Sequence, residues 1–350
     1  MDSATYSASS RLQAAGLQPA ITLFEEAART VPLPRAPQPI AIADYGAANG
    51  YNSLLPIGAA IAIVRERTRP DHAILVAHTD VAENDFTALF RTLDEDPDSY
   101  LQKDSATFAS AVGRSFYNQI LPSNSIALGW SSWAVHWLSR IPMPIPDHVQ
   151  ISSSSDEDTR KAYAHQAAED WHEFVAFRGR ELAPGGRLVV LTVGLDPDGG
   201  SGFQAPFDAI VTTLPALVGD GLITADEARR MSIPSVGRDE KAFRAPFAPS
   251  GRFEGLSIEH LEMFNAEDRF WSQYRHDGDA AAFGATWAAF LRASVFPTLA
   301  GALEGGIGDA RAERFVEQLE AAVAEHLAAA PEQMTIPLAK LVLVKKTGSA

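Results

Sequence analysis

Cysteine is absent from the 350 residues. Disulfides, thiolate nucleophiles and zinc–thiolate centres are therefore excluded, while the redox compartment stays open. No run approaches the about 18 unbroken apolar residues of a membrane span, so no membrane partner is expected. The opening segment, MDSATYSASSRLQAAG, carries no apolar stretch flanked by basic residues, so no secretory signal is read there and a cytoplasmic location is expected. Positive charge is scarce: 29 Lys and Arg stand against 44 Asp and Glu, a net charge of −15. A chain this acidic repels phosphate backbones, and no nucleic-acid partner is expected. The two acidic clusters, Asp94-Glu95-Asp96 and Asp156-Glu157-Asp158, read as solvated loops rather than metal sites. Both phosphate-cradling signatures, G-x-G-x-x-G and G-x-x-x-x-G-K-[ST], are also missing.

What is present is a large apolar fraction, 46%, enough for a substantial core. Residues 10–30 have the spacing of an amphipathic helix, with Leu12, Ala15, Leu17, Ile21, Phe24, Ala27 and Ala28 on one side. Pro32, Pro34, Pro37 and Pro39 form a linker. A short apolar strand, 40–43, then ends at Asp44 and the small-residue loop Gly46-Ala47-Ala48-Asn49-Gly50, and 54–64 reads as a helix. Further buried strands are expected at 73–77, with Asp80 just past the end, and at 125–128. A helix over 161–182 leads through Pro184-Gly185-Gly186 into the strand 187–193. Strands alternating with helices predict an α/β fold with a parallel sheet covered on both faces. Residues 205–300 show little strand signal and read as a mostly helical cap, leaving 1–204 and 301–350 as the sheet-bearing core. The apolar run 341–344 has no crossover helix after it and reads as a late strand, for which antiparallel pairing is open.

In an open α/β sheet, ligands bind beyond the carboxyl ends of the strands. Here those ends carry the 44–50 loop and Asp80. Small residues permit close backbone approach, and a carboxylate accepts both hydrogen bonds of a ribose diol. The loop's two glycines do not have dinucleotide spacing, so a nicotinamide oxidoreductase is disfavoured. An acidic loop suits S-adenosylmethionine, which has no phosphate and carries a sulfonium cation.

Two neighbouring stretches sharpen this. Phe116-Tyr117-Asn118-Gln119-Ile120-Leu121-Pro122-Ser123-Asn124-Ser125 and Ser131-Ser132-Trp133-Ala134-Val135-His136-Trp137-Leu138-Ser139-Arg140-Ile141-Pro142 resemble the salicylic acid, benzoic acid and theobromine methyltransferases, the SABATH family. Its patterns are F-Y-x-x-L-x-P-x-x-S and S-S-Y-x-x-x-W-L-S-x-x-P, with Ile120 and Trp133 as the departures here. The resemblance runs from about Tyr6 to Lys346. It includes Tyr6-x-x-x-Ser10-x-x-Gln13, Ala43-Asp44-Tyr45-Gly46-Ala47-Ala48-Asn49-Gly50-Tyr51-Asn52 and Asp80-Val81-x-x-Asn84-Asp85-Phe86. Gly185-Gly186-Arg187, Gly221-Leu222-Ile223, Ile233-Pro234 and Arg292-Ala293 with Pro297 also match. Ala82 and Phe296 replace a family Pro and Glu.

The resemblance implies a class I S-adenosylmethionine-dependent methyltransferase, Rossmann-like, acting on the carboxylate of a small organic acid, aromatic or indolic, as a homodimer. It implies a cofactor site of Tyr6, Ser10, Asp44, Gly46, Asn52, Asp80, Val81, Ser115 and Phe116. Asp80 would hold the ribose, and Ser115 with Phe116 would flank the adenine. Gln13 and Trp137 would grip the substrate carboxylate, and Trp133 and His136 would line the acceptor pocket with Phe207, Leu291 and Ser294. Some relatives bind magnesium near a D-x-F-N-I-P segment. The corresponding stretch here is Arg229-Arg230-Met231-Ser232-Ile233-Pro234, and a hard dication wants oxygen ligands and not a neighbouring Arg, so no metal is expected.

Taken one at a time, these residues have plainer readings. Trp137 alone is a core tryptophan, Gln13 an exposed helix residue, Asp44 a helix cap and His136 a satisfied buried histidine or a general base. Two other functions compete: methylation of a ring nitrogen, which needs no carboxylate grip, and non-catalytic binding of a small ligand.

Overall fold

The structure is a computed structural model and describes residues 17–347. A seven-stranded sheet carries the order β3-β2-β1-β4-β5-β7-β6. Its strands are β1 (Ile40–Tyr45), β2 (Ile74–Asp80), β3 (Thr107–Gly113), β4 (Ile126–Ser132), β5 (Leu182–Val193), β6 (Leu256–Asn265) and β7 (Pro337–Lys345). The β1, β2, β3, β4 and β5 pairings are parallel; β7 runs antiparallel to both β5 and β6. The strand order reverses between β1 and β4. That switch point is where a crevice opens at the carboxyl edge of such a sheet.

The central strands are apolar throughout because both faces are covered. In β5, Val189 and Leu191 pack on one face and Leu188 and Val190 on the other. The first face is covered by α1 (Gln18–Thr30) and α2 (Tyr51–Glu66), with α3 (Phe86–Glu95) and α4 (Tyr100–Lys103) beside them. α1 buries Ala20, Ile21, Phe24, Ala27 and Ala28. Its Phe24 ring lies 5.2 Å from Trp130 of β4. The other face is covered by α5 (Glu157–Glu181) through Trp171, Phe174 and Val175.

A second apolar cluster is almost wholly helical. It draws on α6 (Gln204–Gly219), α10 (Ala280–Arg292), α11 (Val295–Ala300) and α12 (Ala312–Ala329). Three short or exposed helices, α7 (Ala225–Arg230), α8 (Glu240–Arg244) and α9 (Arg269–Asp277), complete the set. In α12, Phe315, Leu319, Val323 and Leu327 are buried at four-residue spacing.

Several expectations need correction. The stretch 205–300 is not wholly helical, because residues 256–265 form β6 in the sheet. Nor does 301–350 belong only with the sheet, because α12 packs into the helical cluster. β6 and β3 escaped the reading for one physical reason. Both are edge strands, half-exposed, with one hydrogen-bonded neighbour, and β6 has a register shift at Ile258/His260 that breaks its alternation. Asp156-Glu157-Asp158 is not a loop: Asp156 caps α5 by accepting the Thr159 N–H at 2.8 Å, and the other two form the first turn, where carboxylates suit the helix dipole.

Phe24 is fully buried against the sheet. Phe24→Ala is expected to cost about 3–5 kcal/mol by leaving a cavity there. Urea unfolding with an unchanged m-value would measure it.

Candidate active site

The crevice at the strand-order reversal is a cavity of about 450 Å³, within the size range of small-molecule sites. Two segments build the half nearest β1. At the end of β1, Gly46 N–H and Ala47 N–H both donate to Thr79 O, at 2.9 and 3.0 Å. This folds the loop back over the end of β2. Gly46 has φ +85°, and a Cβ there would come within 2.3 Å of Ala134 Cβ. Only glycine lets the two loops pass this closely. Beyond the turn, Asp80 organises the loop: Oδ2 accepts from Ala48 N–H at 2.7 Å and Oδ1 from Val81 N–H at 2.8 Å. Burial raises the Asp80 pKa above the usual range, and the two amide donors pull the other way. Each Asp80 oxygen keeps a second lone pair for a ligand hydroxyl.

Asp44 is placed differently from expectation. It does not line the cavity; it is 1% exposed and its Oδ2 sits 2.8 Å from His78 Nδ1. The other ring nitrogen, Nε2, is 2.7 Å from Tyr100 Oη. Strand alternation explains the placement, since side chains two apart share a face and Asp44 pairs directly with His78 in the β1–β2 register.

The second segment, 114–122, brings Ser115 and Phe116 to the cavity. It has no regular secondary structure and is held instead by a buried ion pair. Arg178, at the end of α5, donates to Phe116 O at 2.8 Å, to Asn118 O at 2.9 Å and to Glu181 Oε1 at 2.8 Å. Glu181 Oε1 also accepts from the Ile120 and Leu121 amides, at 2.7 and 3.0 Å, and its Oε2 accepts from Tyr45 Oη at 2.8 Å. Arg178 and Glu181 are both fully buried. The guanidinium lies 4.4 Å above the Tyr45 ring. Burial raises the Tyr45 pKa well above its ordinary value.

The other half of the cavity is walled by Trp133, His136, Trp137, Phe207, Leu291 and Ser294. Trp133 immediately follows β4 with φ +55°, a conformation that a bulky residue adopts only where its surroundings enforce it. Its backbone N–H donates to Leu191 O at 2.9 Å. Buried Arg238 secures the segment by donating to Val135 O at 2.6 Å and to Ala167 O at 2.9 Å. Tyr117 Oη donates to Trp137 O. The indole N–H of Trp137 has no hydrogen-bond partner among the described residues, and the ring lines the cavity.

His136 is buried, with Nδ1 3.4 Å from Thr192 Oγ1. Burial first, and the nearby Arg238 charge second, push its pKa down to about 3. The ring is therefore neutral near pH 7. Asp80 is the one carboxylate in the wall, and no Lys or Arg lines the cavity among the described residues.

Of the expected residues, Gly46, Asn52, Asp80, Val81, Ser115, Phe116, Trp133, His136, Trp137, Phe207, Leu291 and Ser294 meet at this one cavity. Tyr6, Ser10 and Gln13 lie outside the described residues. Arg178, Glu181, Arg238 and the cavity residue Gln150 were not singled out by sequence. Arg178 and Glu181, three apart, look like an ordinary surface helix pair; only tertiary packing buries them. Arg229 is exposed and pairs with Asp226. Among the described residues no group of three or more His, Asp or Glu could hold a metal ion, and no helix is long and apolar enough to cross a membrane.

The donor set fits S-adenosylmethionine: a glycine cradle, a carboxylate for a diol, and an aromatic residue beside Ser115.

Arg178→Met is expected to cost about 3–5 kcal/mol, as breaking one side of a buried pair does, and to weaken binding of S-adenosylhomocysteine by loosening 114–122; urea unfolding and calorimetry measure the two. His136 gives a pH signature. Its folded pKa lies below the unfolded value of about 6.5, so the unfolded chain binds the proton first. Stability is then lost as pH falls from about 6.5 toward 3. His136→Gln should flatten that slope by up to ~1.4 kcal/mol per pH unit between about pH 4 and 5.5 in denaturant titrations.

Comparison with known proteins identifies the family. The chain aligns with the salicylate carboxymethyltransferase of Clarkia breweri at 28% identity over 252 residues, 69% of this chain and 67% of that one. It aligns with the 7-methylxanthine methyltransferase PCS1 of Camellia ptilophylla at 26% over 297 residues, 81% and 80% of the two chains. The structure of a loganic acid methyltransferase with SAH superposes with a TM-score of 0.75 at 22% identity, covering 99% of this chain and 98% of that one. This likeness places the fold among class I methyltransferases. Residues 1–346 match the family described as SAM dependent carboxyl methyltransferase, and the chain belongs to that family, the SABATH methyltransferases, with S-adenosylmethionine as its cofactor.

Proposed function

We propose that the protein converts a small aromatic or indolic monocarboxylic acid into its methyl ester, with Gln13 and Trp137 as the carboxylate grip. The observation that carries this reading is the Trp137 indole N–H, without a hydrogen-bond partner among the described residues, in an aromatic-walled cavity that has no cation among those residues. A carboxylate is ionised near neutral pH, since such acids titrate around pH 4, so it needs no general base. The cofactor supplies, when bound, a methyl group on a sulfonium leaving group. The work left to the chain is placement, which can be worth roughly 7–11 kcal/mol.

The division of labour follows. Asp80, Ser115 and Phe116 hold the cofactor's nucleoside end. Trp137 and Gln13 each offer a neutral N–H donor, which orients the carboxylate without neutralising its nucleophilic oxygen as an Arg clamp would. His136 is neutral and a weak base with its pKa near 3; a matched general base would titrate near the working pH. Its part is to shape the wall and offer a ring nitrogen. Trp133, Phe207 and Leu291 pack the acceptor's apolar body and exclude water. Cytoplasmic residence and a homodimeric state belong to this reading, the dimer on the family likeness; sedimentation analysis checks it.

The test is incubation with methyl-labelled cofactor and a panel of benzoic, indole-acetic and terpenoid acids, with methylxanthines alongside, scoring base-labile extractable ester. Trp137→Phe keeps the ring and deletes the donor. Hydrogen bonds to charged groups are worth about 1.5–3 kcal/mol, so kcat/KM should fall ~10–150-fold, and Gln13→Ala should fall comparably. Label transferred only to a ring nitrogen, or to nothing while the cofactor binds, would refute the carboxyl reading.

A further inference from the structure

Gln150 is 3% exposed, yet it lines the cavity. Its Oε1 accepts the N–H of Ile151 at 2.5 Å, capping the short 3-10 turn Ile151–Ser153. That bond fixes which end of the amide is which. The remaining end, Nε2 with two N–H groups, has no hydrogen-bond partner among the described residues. An amide donor so placed on the wall of a cavity is available to a ligand.

Its position relative to the carboxylate grip follows from the segment 233–236. Ile233 N–H donates to Val149 O at 2.7 Å, setting Gln150 beside Ile233. Ser235 bridges Trp137, and Val236 N–H donates to His136 O at 2.9 Å. Ile233 and Ser235, which seat Gln150 and Trp137, are two residues apart, no more than about 7 Å along the backbone, and both side chains line the same cavity. A planar acid gripped at one end by Trp137 can reach the Gln150 amide with a substituent at its other end. His136, whose Nε2 has no hydrogen-bond partner among the described residues, lines the same cavity.

We propose that Gln150 is a specificity-determining residue that donates to a neutral oxygen, hydroxyl or carbonyl, carried by the acceptor acid remote from its reacting carboxylate. The absence of any Lys or Arg in the wall among the described residues disfavours a second carboxylate at that position. The preferred acceptors are thus oxygenated monocarboxylic acids. The inference rests on the carboxyl-methylating reading above, and its test separates the two.

The test measures binding of matched acids to the full chain with S-adenosylhomocysteine present: benzoate against 3-hydroxybenzoate, 4-hydroxybenzoate, 4-acetylbenzoate and terephthalate. The parent should bind the best oxygenated acid at least tenfold more tightly than benzoate, and terephthalate no better than benzoate. Gln150→Leu should bring that ratio to about one. Gln150→Glu keeps an oxygen for the Ile151 amide and replaces the amide donors, so it should lose the 4-acetylbenzoate preference. A parent that shows no preference, or binds none of these acids, overturns the proposal, as does a preference unchanged in both variants. A parent that shows the preference but forms no ester refutes the carboxyl-methylating function and leaves the Gln150 assignment standing.

Discussion

The cavity depends on one buried ion pair. Arg178 and Glu181 sit at the end of α5, fully buried, and between them satisfy two carbonyls and two amides of the 114–122 segment as well as the Tyr45 hydroxyl. A buried charge pair is seldom a net source of stability, because desolvation opposes the Coulomb attraction. Its value here is geometric. An irregular segment has no ladder of its own to hold it, and the pair supplies fixed partners for four of its backbone groups. Arg238 does the same for the Trp133–Trp137 stretch through Val135 O. The two walls of the cavity are therefore set by cations that lie behind them and do not reach the ligand.

This arrangement separates positioning charge from reacting charge. Guanidinium groups stand behind the walls, while the described surface facing the ligand carries one carboxylate and neutral donors. A cation inside the cavity would stabilise the anionic acceptor more in its ground state than in the transition state, where its charge is being neutralised, and so would lower kcat. Neutral donors such as an indole N–H orient the anion at a smaller cost in nucleophilicity.

Sequence and structure agree where burial on two sides makes strands apolar, as in β1, β5 and β7. The 44–50 loop and the two motif stretches were also legible, because glycines, prolines and tryptophans at fixed spacing leave a pattern. β3 and β6 were not, since edge strands read as ordinary mixed sequence. Asp44 was assigned to the cofactor by the family resemblance, on its place in the A-D-x-G loop motif. The partner that claims it, His78, is 34 residues away and visible only through the β1–β2 register. Gln150 offers no pattern at all: a lone glutamine before a run of serines looks like surface until the fold wraps Ile233 against Val149.

The placement of β7 also bears on how the chain assembles. β7 lies between β5 and β6, and β6 has no other neighbour in the sheet. Residues 256–265 leave the ribosome some seventy residues ahead of 337–345 and have no strand to dock on until those arrive. The parallel half can zip up during synthesis, whereas the antiparallel edge must wait and then insert as a pair. Through that interval β5 lacks its β7 neighbour and presents an unpaired, apolar flank.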